Sequence, residues 1–217
     1  MPNATGPAAP PYPVVLAVAG LRCLVVGGGR VAARKVAGLL ASAAEVTVVA
    51  PVVDRDLAAL AAEGRLRLER RPYRPGEAAA HRLVLTATGV AEVDGLVAAD
   101  AEAAGVFVNR ADHIAGSTFL LPAVERRGPV SVAVSTGGAS PALAAWLRRR
   151  LAAALPAGLP ELADLLAEAR QDLGRAGRST DVVDWAALLD GPLPDLVAAG
   201  DLGAARELLA RAVGGAP

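Results

Sequence analysis

Three consecutive glycines, Gly27-Gly28-Gly29, run into Arg30-Val31-Ala32 and give the pattern Gly27-x-Gly29-x-x-Ala32. An apolar run, Leu24-Val25-Val26, enters the glycines and an alanine-rich stretch leaves them, so the chain turns there from strand into helix. The first N–H groups of a helix lack intrahelical partners and lie at the positive end of its dipole, so this turn can hold a phosphate. In the dinucleotide fingerprint Gly27 permits the tight turn, Gly29 the approach of a pyrophosphate, and Ala32 the close packing of helix on strand. Glycine-rich turns also end strands for structural reasons, so the motif by itself leaves both roles open. Cys23 is the only cysteine, which excludes an internal disulfide and a multi-cysteine metal site. It reads as a core residue, and His81 and His113 read as a surface and a loop histidine.

The elements that must position these residues alternate between strand and helix. Strands are expected at 21–26, 45–50, 66–70, 83–88 and 106–109, with helices at 31–40, 54–63 and 92–104 between them. Residues 12–18 are apolar but hold a proline, Pro13, and suit a sheet edge. The alternation predicts an α/β fold with a Rossmann-like, doubly wound parallel sheet. The pattern then breaks. Two β-like runs, 118–121 and 130–134, are joined without a crossover helix, and Ser140-Pro141 caps a helix over 142–154. Arg148, Arg149 and Arg150 read as a solvated face. Beyond Pro160 only helices are expected, at 161–174, 182–189 and 202–213, with 174–180 as a link.

Composition bounds the function classes. The 217 residues carry 22 basic and 22 acidic side chains, so no electrostatic footprint for nucleic acid or an anionic membrane is present. Hydrophobic residues make up 53% and aromatics 3%, so Ala, Val and Leu must build the core. No apolar run reaches the length of a membrane span, and residues 1–11 read as a disordered lead-in without the basic region of a signal peptide. A cytoplasmic location and a stand-alone protein are the expectation.

Four ordered blocks carry a family resemblance. They are Val25-Val26-Gly27-Gly28-Gly29-Arg30-Val31-Ala32-Ala33-Arg34-Lys35, then Leu85-Thr86-Ala87-Thr88, then Asn109-Arg110-Ala111-Asp112, and last Val132-Ala133-Val134-Ser135-Thr136-Gly137-Gly138-Ala139-Ser140-Pro141-Ala142-Leu143-Ala144. With these blocks the chain resembles the precorrin-2 dehydrogenase/sirohydrochlorin ferrochelatase family of sirohaem synthesis. The last two blocks are not general features of dinucleotide folds.

The resemblance implies a dinucleotide-binding domain over 12–117, a small α+β dimerisation region over 118–157 and a helical domain over 158–217. It implies oxidation of precorrin-2 to sirohydrochlorin with NAD, insertion of ferrous iron as a substrate, and a homodimer. By the same resemblance Asp112 is the catalytic carboxylate, able to take the proton released as hydride leaves, or the pyrrole protons displaced by metal. Gly27, Gly29, Arg30 and Val31 correspond to the phosphate loop, Pro51 and Val52 to the adenosine side, and Ala87 and Thr88 to the turn under the dinucleotide. Asn109, Ser135, Thr136 and Gly137 correspond to residues facing the tetrapyrrole, and no resident metal ligand is implied. The chain departs from the usual pattern at Ala50-Pro51, where an acidic residue would bind the ribose, so NAD rests on the resemblance alone. Thr136 stands where some relatives have serine. Two alternatives stay open: a dehydrogenase without chelatase activity, and a non-enzymatic dinucleotide sensor.

Overall fold

Strand β1 (Arg22–Val26) is buried at every residue from Cys23 to Val26. A strand apolar on both faces belongs in the middle of a parallel sheet covered by helices. It lies there in the computed structural model, which describes residues 10–215. The sheet runs β3-β2-β1-β4-β5, all parallel, with β2 at Glu45–Val49, β3 at Arg67–Glu69, β4 at Leu83–Thr86 and β5 at Phe107–Arg110. Cys23 and Val25 pack with Ala32 and Val36 of α1 (Arg30–Leu40) and Leu57 of α2 (Arg55–Ala62). Leu24 and Val26 pack on the other face with Val97, Ala98 and Ala101 of α3 (Ala91–Ala103). The doubly wound, Rossmann-like sheet is therefore formed as expected. The strand order reverses between β1 and β4, and that reversal opens a crevice at their carboxyl ends.

Several boundaries differ from the sequence expectation. The strand expected at 83–88 stops at Thr86, because the hydroxyls of Thr86 and Thr88 both turn to Asp94. No strand forms at 118–121. Thr118 is tied back to β5, its N–H donating to the Val108 carbonyl (2.8 Å) and its hydroxyl accepting from the Val108 N–H (2.8 Å), while Phe119 packs on the sheet core. Residues 12–18 form no strand, and only Val18 among them is buried. Residues 1–9 of the expected lead-in lie outside the described residues.

The chain divides into two compact units, Met1–Leu121 and Pro122–Pro217. In the second, β6 (Ala123–Arg127) and β7 (Val130–Val134) make an antiparallel hairpin that turns at Gly128, where φ is +56°. Helix α4 (Pro141–Ala154) follows, with Ser140 Oγ accepting from the Leu143 N–H (3.1 Å) as its cap. Arg148 pairs with Glu125 of β6 and Arg150 lies 5.5 Å from the Trp146 ring, so two of the three arginines have partners and are not simply solvated. Helices α5 (Leu159–Arg175), α7 (Leu193–Ala198) and α8 (Leu202–Gly215) share a core of Leu162, Leu165, Leu193, Val197 and Leu209. The helix expected at 182–189 shortens to α6 (Trp185–Leu189), capped by Asp184. The expected link at 174–180 is held by Arg178, which donates to the Val213 carbonyl (2.6 Å), and by the Trp185 indole, which donates to Thr180 (2.8 Å).

Candidate functional site

The glycine turn is shaped by sterics on two of its three residues and by openness on the third. Gly27 has φ +127°, and a Cβ there would stand 2.3 Å from the Ala87 carbonyl oxygen. A Cβ on Gly28 would stand 2.0 Å from the Val52 carbonyl oxygen and 2.9 Å from Val53 Cα. A Cβ on Gly29 would meet nothing within 4 Å. Gly29 is the N-cap of α1; it supplies no side-chain cap, and the first turn holds no acidic residue. The amino end of α1 is thus uncapped, exposed at Gly29, Arg30 and Val31, and free of negative charge. An open depression of about 460 Å³ lined by Arg30, Val31 and Arg34 adjoins it. These residues fit a pyrophosphate: N–H groups, a dipole end, two cations and no Cβ in the way.

The expected cofactor residues around the turn come together at the switch point. The Ala87 N–H donates to the Val26 carbonyl (2.8 Å), which brings the Ala87–Thr88 turn beside Gly27. The Asp54 N–H donates to the Gly28 carbonyl (2.7 Å) and brings the Pro51–Val52 corner beside the glycines. Val52 is 78% exposed there, an apolar surface for a flat ring. No acidic residue ends β2: Asp54 follows it closely, but its carboxylate accepts from the Asp56 N–H (2.9 Å) and caps α2.

Beneath this turn lies a polar cluster that motif reasoning passed over. Asp94 is 1% exposed, and its Oδ1 accepts from the Thr86 hydroxyl, the Thr88 N–H (3.1 Å) and the Thr88 hydroxyl (2.8 Å). These bonds hold the β4–α3 turn in place. The signal was present in the sequence, because Asp94 shares the buried stripe of α3 with Val97, Ala98 and Ala101. Lys35 reaches from α1 to donate to Asn109 Oδ1 at the end of β5, and the Asn109 amide donates to the Phe119 carbonyl (2.9 Å). Asn109 is thereby buried at 6% exposure and both ends of its side chain are engaged.

Burial, followed by repulsion from Arg34, pulls the Lys35 ammonium down to about 8 from its ordinary 10.5, against the attraction of Asp94. Below pH 8 the folded and unfolded chains both hold this proton and the cost of burying the charge stands in full. Between about 8 and 10.5 the unfolded chain holds more, so stability from this group rises with pH. Urea unfolding from pH 7 to 10 should show that rise in the wild type, and the Lys35→Met variant should lose it.

Asp112 follows β5 at the same carboxyl edge of the sheet at which the glycines follow β1. Both of its oxygens are held by one guanidinium: Arg110 Nε donates to Oδ1 (3.0 Å) and Nη2 to Oδ2 (2.7 Å). The Arg110 bond, and then the charge behind it, holds the Asp112 carboxyl below its ordinary 3.8. His113 sits exposed in the loop, its Nδ1 2.9 Å from the Ala115 carbonyl. Arg110 had no role in the sequence reading; its spacing of two from Asp112 was the available signal.

The remaining expected residues lie in the second unit, in the turn from β7 to α4. The Thr136 hydroxyl accepts from the Ser140 N–H (3.1 Å) and donates to the Ser140 carbonyl (3.2 Å), and Ser135 Oγ accepts from the Gly137 N–H (3.2 Å). Gly137 and Gly138 both take positive φ, +61° and +87°, the left-handed backbone that this tight turn requires. A threonine hydroxyl closes this turn as a serine would, since its methyl is not called on.

The chain matches the family model described as "Putative NAD(P)-binding" over residues 14–123 and that described as "Sirohaem biosynthesis protein central" over 127–154. It is 41% identical over 209 residues to the siroheme synthase of Chromobacterium violaceum, covering 94% of this chain and 44% of the relative. It is 40% identical over 220 residues to the siroheme synthase of Gluconacetobacter diazotrophicus, covering 94% and 45%. The chain therefore spans less than half the length of these relatives. Among solved structures it resembles SirC, a precorrin-2 dehydrogenase, with a TM-score of 0.72 and 27% identity over 93% of this chain and 98% of that one. No helix among the described residues is long and apolar enough to cross a membrane.

Proposed function

Because this chain belongs to the precorrin-2 dehydrogenase/sirohydrochlorin ferrochelatase family, whose fold forms the N-terminal module of sirohaem synthases, we propose that it oxidises precorrin-2 to sirohydrochlorin with NAD and then inserts ferrous iron. The observation that carries the proposal is the placement of two features on one sheet edge: an uncapped helix N-terminus after β1 and the Asp112 loop after β5. When bound, NAD supplies the hydride acceptor. Gly27, Gly29, Arg30 and Val31 hold its pyrophosphate, Pro51 and Val52 its adenosine side, and Ala87 and Thr88, braced by Asp94, support the rest. Asp112 accepts the proton that leaves the macrocycle as the hydride departs, and it serves again for pyrrole N–H protons when iron enters. Asn109, held by Lys35 and the Phe119 carbonyl, positions the end of β5 that leads into the Asp112 loop, while Ser135, Thr136 and Gly137 of the second unit are proposed as tetrapyrrole contacts on the family resemblance.

The protein acts as a homodimer in the cytoplasm on this reading. Support for the dimer comes from the second unit, where no residue of β6 or β7 is fully buried and Val124, Leu143, Trp146 and Leu151 are exposed. Sedimentation equilibrium tests it.

The activity is tested by giving the purified protein precorrin-2 with and without NAD, then ferrous iron. Sirohydrochlorin absorbance should form only with NAD, and its failure to form would sink the proposal in favour of a dinucleotide sensor. A separate sample given sirohydrochlorin and iron without NAD isolates the second step. Sirohaem formation no faster than the uncatalysed reaction would restrict the protein to the dehydrogenase step.

A further inference from the structure

We propose that Arg110 gates Asp112: its guanidinium holds both carboxylate oxygens until a carboxylate of the bound tetrapyrrole draws it away, leaving an Asp112 oxygen open to accept a proton. The inference rests on the function proposed above and adds to it a positioning residue and a contact for the substrate.

A bidentate guanidinium leaves a carboxylate a poor base, because the stronger lone-pair directions of both oxygens are taken. The arginine is built into the site and does not merely drift across it. Its side chain is 16% exposed and lies between two glycines: a Cβ on Gly95 of α3 would stand 3.6 Å from Nη1, and one on Gly116 would stand 3.4 Å from Cδ. Its backbone N–H donates to Ser117 Oγ (2.9 Å), which fixes the root of the side chain at the end of β5. The charged groups facing the pair are Asp94 of α3, which acts on Arg110, and His113 of the same loop, which acts on Asp112. None of them relieves the hold of Arg110 on Asp112.

The substrate class supplies what the chain does not. A tetrapyrrole rimmed with carboxylates offers Arg110 an equivalent partner, so exchange of one carboxylate for another conserves charge pairing and needs little driving force. Because the Asp112 side chain is 29% exposed, the fork can open without unpacking the sheet. The exchange also makes the base available only when a polycarboxylate is in place.

The test uses sirohydrochlorin as probe, with the carboxyl carbon of Asp112 observed by ¹³C NMR between pH 4 and 6. In the wild type, adding sirohydrochlorin should raise the protonated fraction of Asp112, as release from Arg110 lets its pKa climb toward 3.8. In Arg110→Gln that fraction should already be raised without the probe and should not move further. The Arg110→Gln variant should also bind sirohydrochlorin about tenfold more weakly, the scale of one lost charge-assisted contact, with NAD affinity unchanged. Arg110→Lys keeps the charge without the fork and should restore most of the binding. An Asp112 titration that ignores the probe in the wild type, or sirohydrochlorin affinity within twofold of wild type in Arg110→Gln, overturns the gate while leaving the activity standing. Wild-type protein that neither binds sirohydrochlorin nor oxidises precorrin-2 removes the functional reading and the gate together.

Discussion

Replacing Asp112 with asparagine should lower the rate of precorrin-2 oxidation by about a hundred- to ten-thousand-fold, the range that a positioned general base contributes. The substitution keeps the shape of the side chain and one acceptor for Arg110, so folding should be unaffected. NAD affinity should stay within about twofold of the wild type, because the glycine turn and the Ala87–Thr88 turn are braced by other contacts. Steady-state turnover by absorbance and NAD binding by calorimetry measure the two effects separately. A variant that retains a tenth of its turnover would remove Asp112 from the role of base. The pH dependence has a definite sign. Asp112 is held below its ordinary value by Arg110, so the free protein keeps this base ionised as pH falls through 5 and 4. Any acid limb in kcat/KM above pH 5 therefore belongs to another group.

The second large effect separates two neighbouring glycines. Gly28→Ala should unfold the first unit at a much lower temperature, because its methyl would stand 2.0 Å from the Val52 carbonyl oxygen and 2.9 Å from Val53 Cα. Neither is a flexible side-chain end, so the β2–α2 turn must shift and the Asp54-to-Gly28 hydrogen bond of 2.7 Å goes with it. Overpacking plus that lost bond should cost about 2–4 kcal/mol, or roughly 10 °C in a unit of this size. Gly29→Ala should leave the melting temperature unchanged, since its φ is −86° and its Cβ would meet nothing within 4 Å. It should nevertheless weaken NAD at least about tenfold, because the methyl would stand where a pyrophosphate approaches the helix. Thermal melts and NAD titrations of both variants check the pair. Wild-type NAD affinity in Gly29→Ala would place the pyrophosphate elsewhere.

The glycines were legible in the sequence as a class but not as individuals. The fingerprint named Gly27 and Gly29, and the residue between them, an unspecified place in the motif, turns out to be packed most tightly of the three. Its constraint comes from the Val52–Val53 corner, 24 residues later, which no local pattern contains. Thr118 shows the same limit in a strand. Its β-branched run suited a sheet, yet the side chain closes a loop onto Val108, because β5 had no other partner at its outer edge. Asp94 was readable as an acid on an apolar helix stripe, and Thr86 and Thr88 as the end of a strand and part of a family block, but the bonds between them were not.

By itself the sequence determined the parallel sheet and the place where the cofactor turn must fall, because alternating apolar runs of strand and helix period admit few packings and a glycine triplet marks one junction. It also determined, through four ordered blocks, the family, and through the third of them the carboxylate, Asp112, that is proposed as the base. Tertiary structure decided the state in which that carboxylate is found. Arg110 on Asp112 and Asp94 on Thr88 are chain neighbours whose pairing depends on how the folded backbone aims their side chains. Asn109 is fixed by Lys35, 74 residues away, because α1 and the end of β5 arrive together only when the sheet forms. Side-chain hydrogen bonds depend on that arrival within a few ångströms, and spacing along the chain does not encode it.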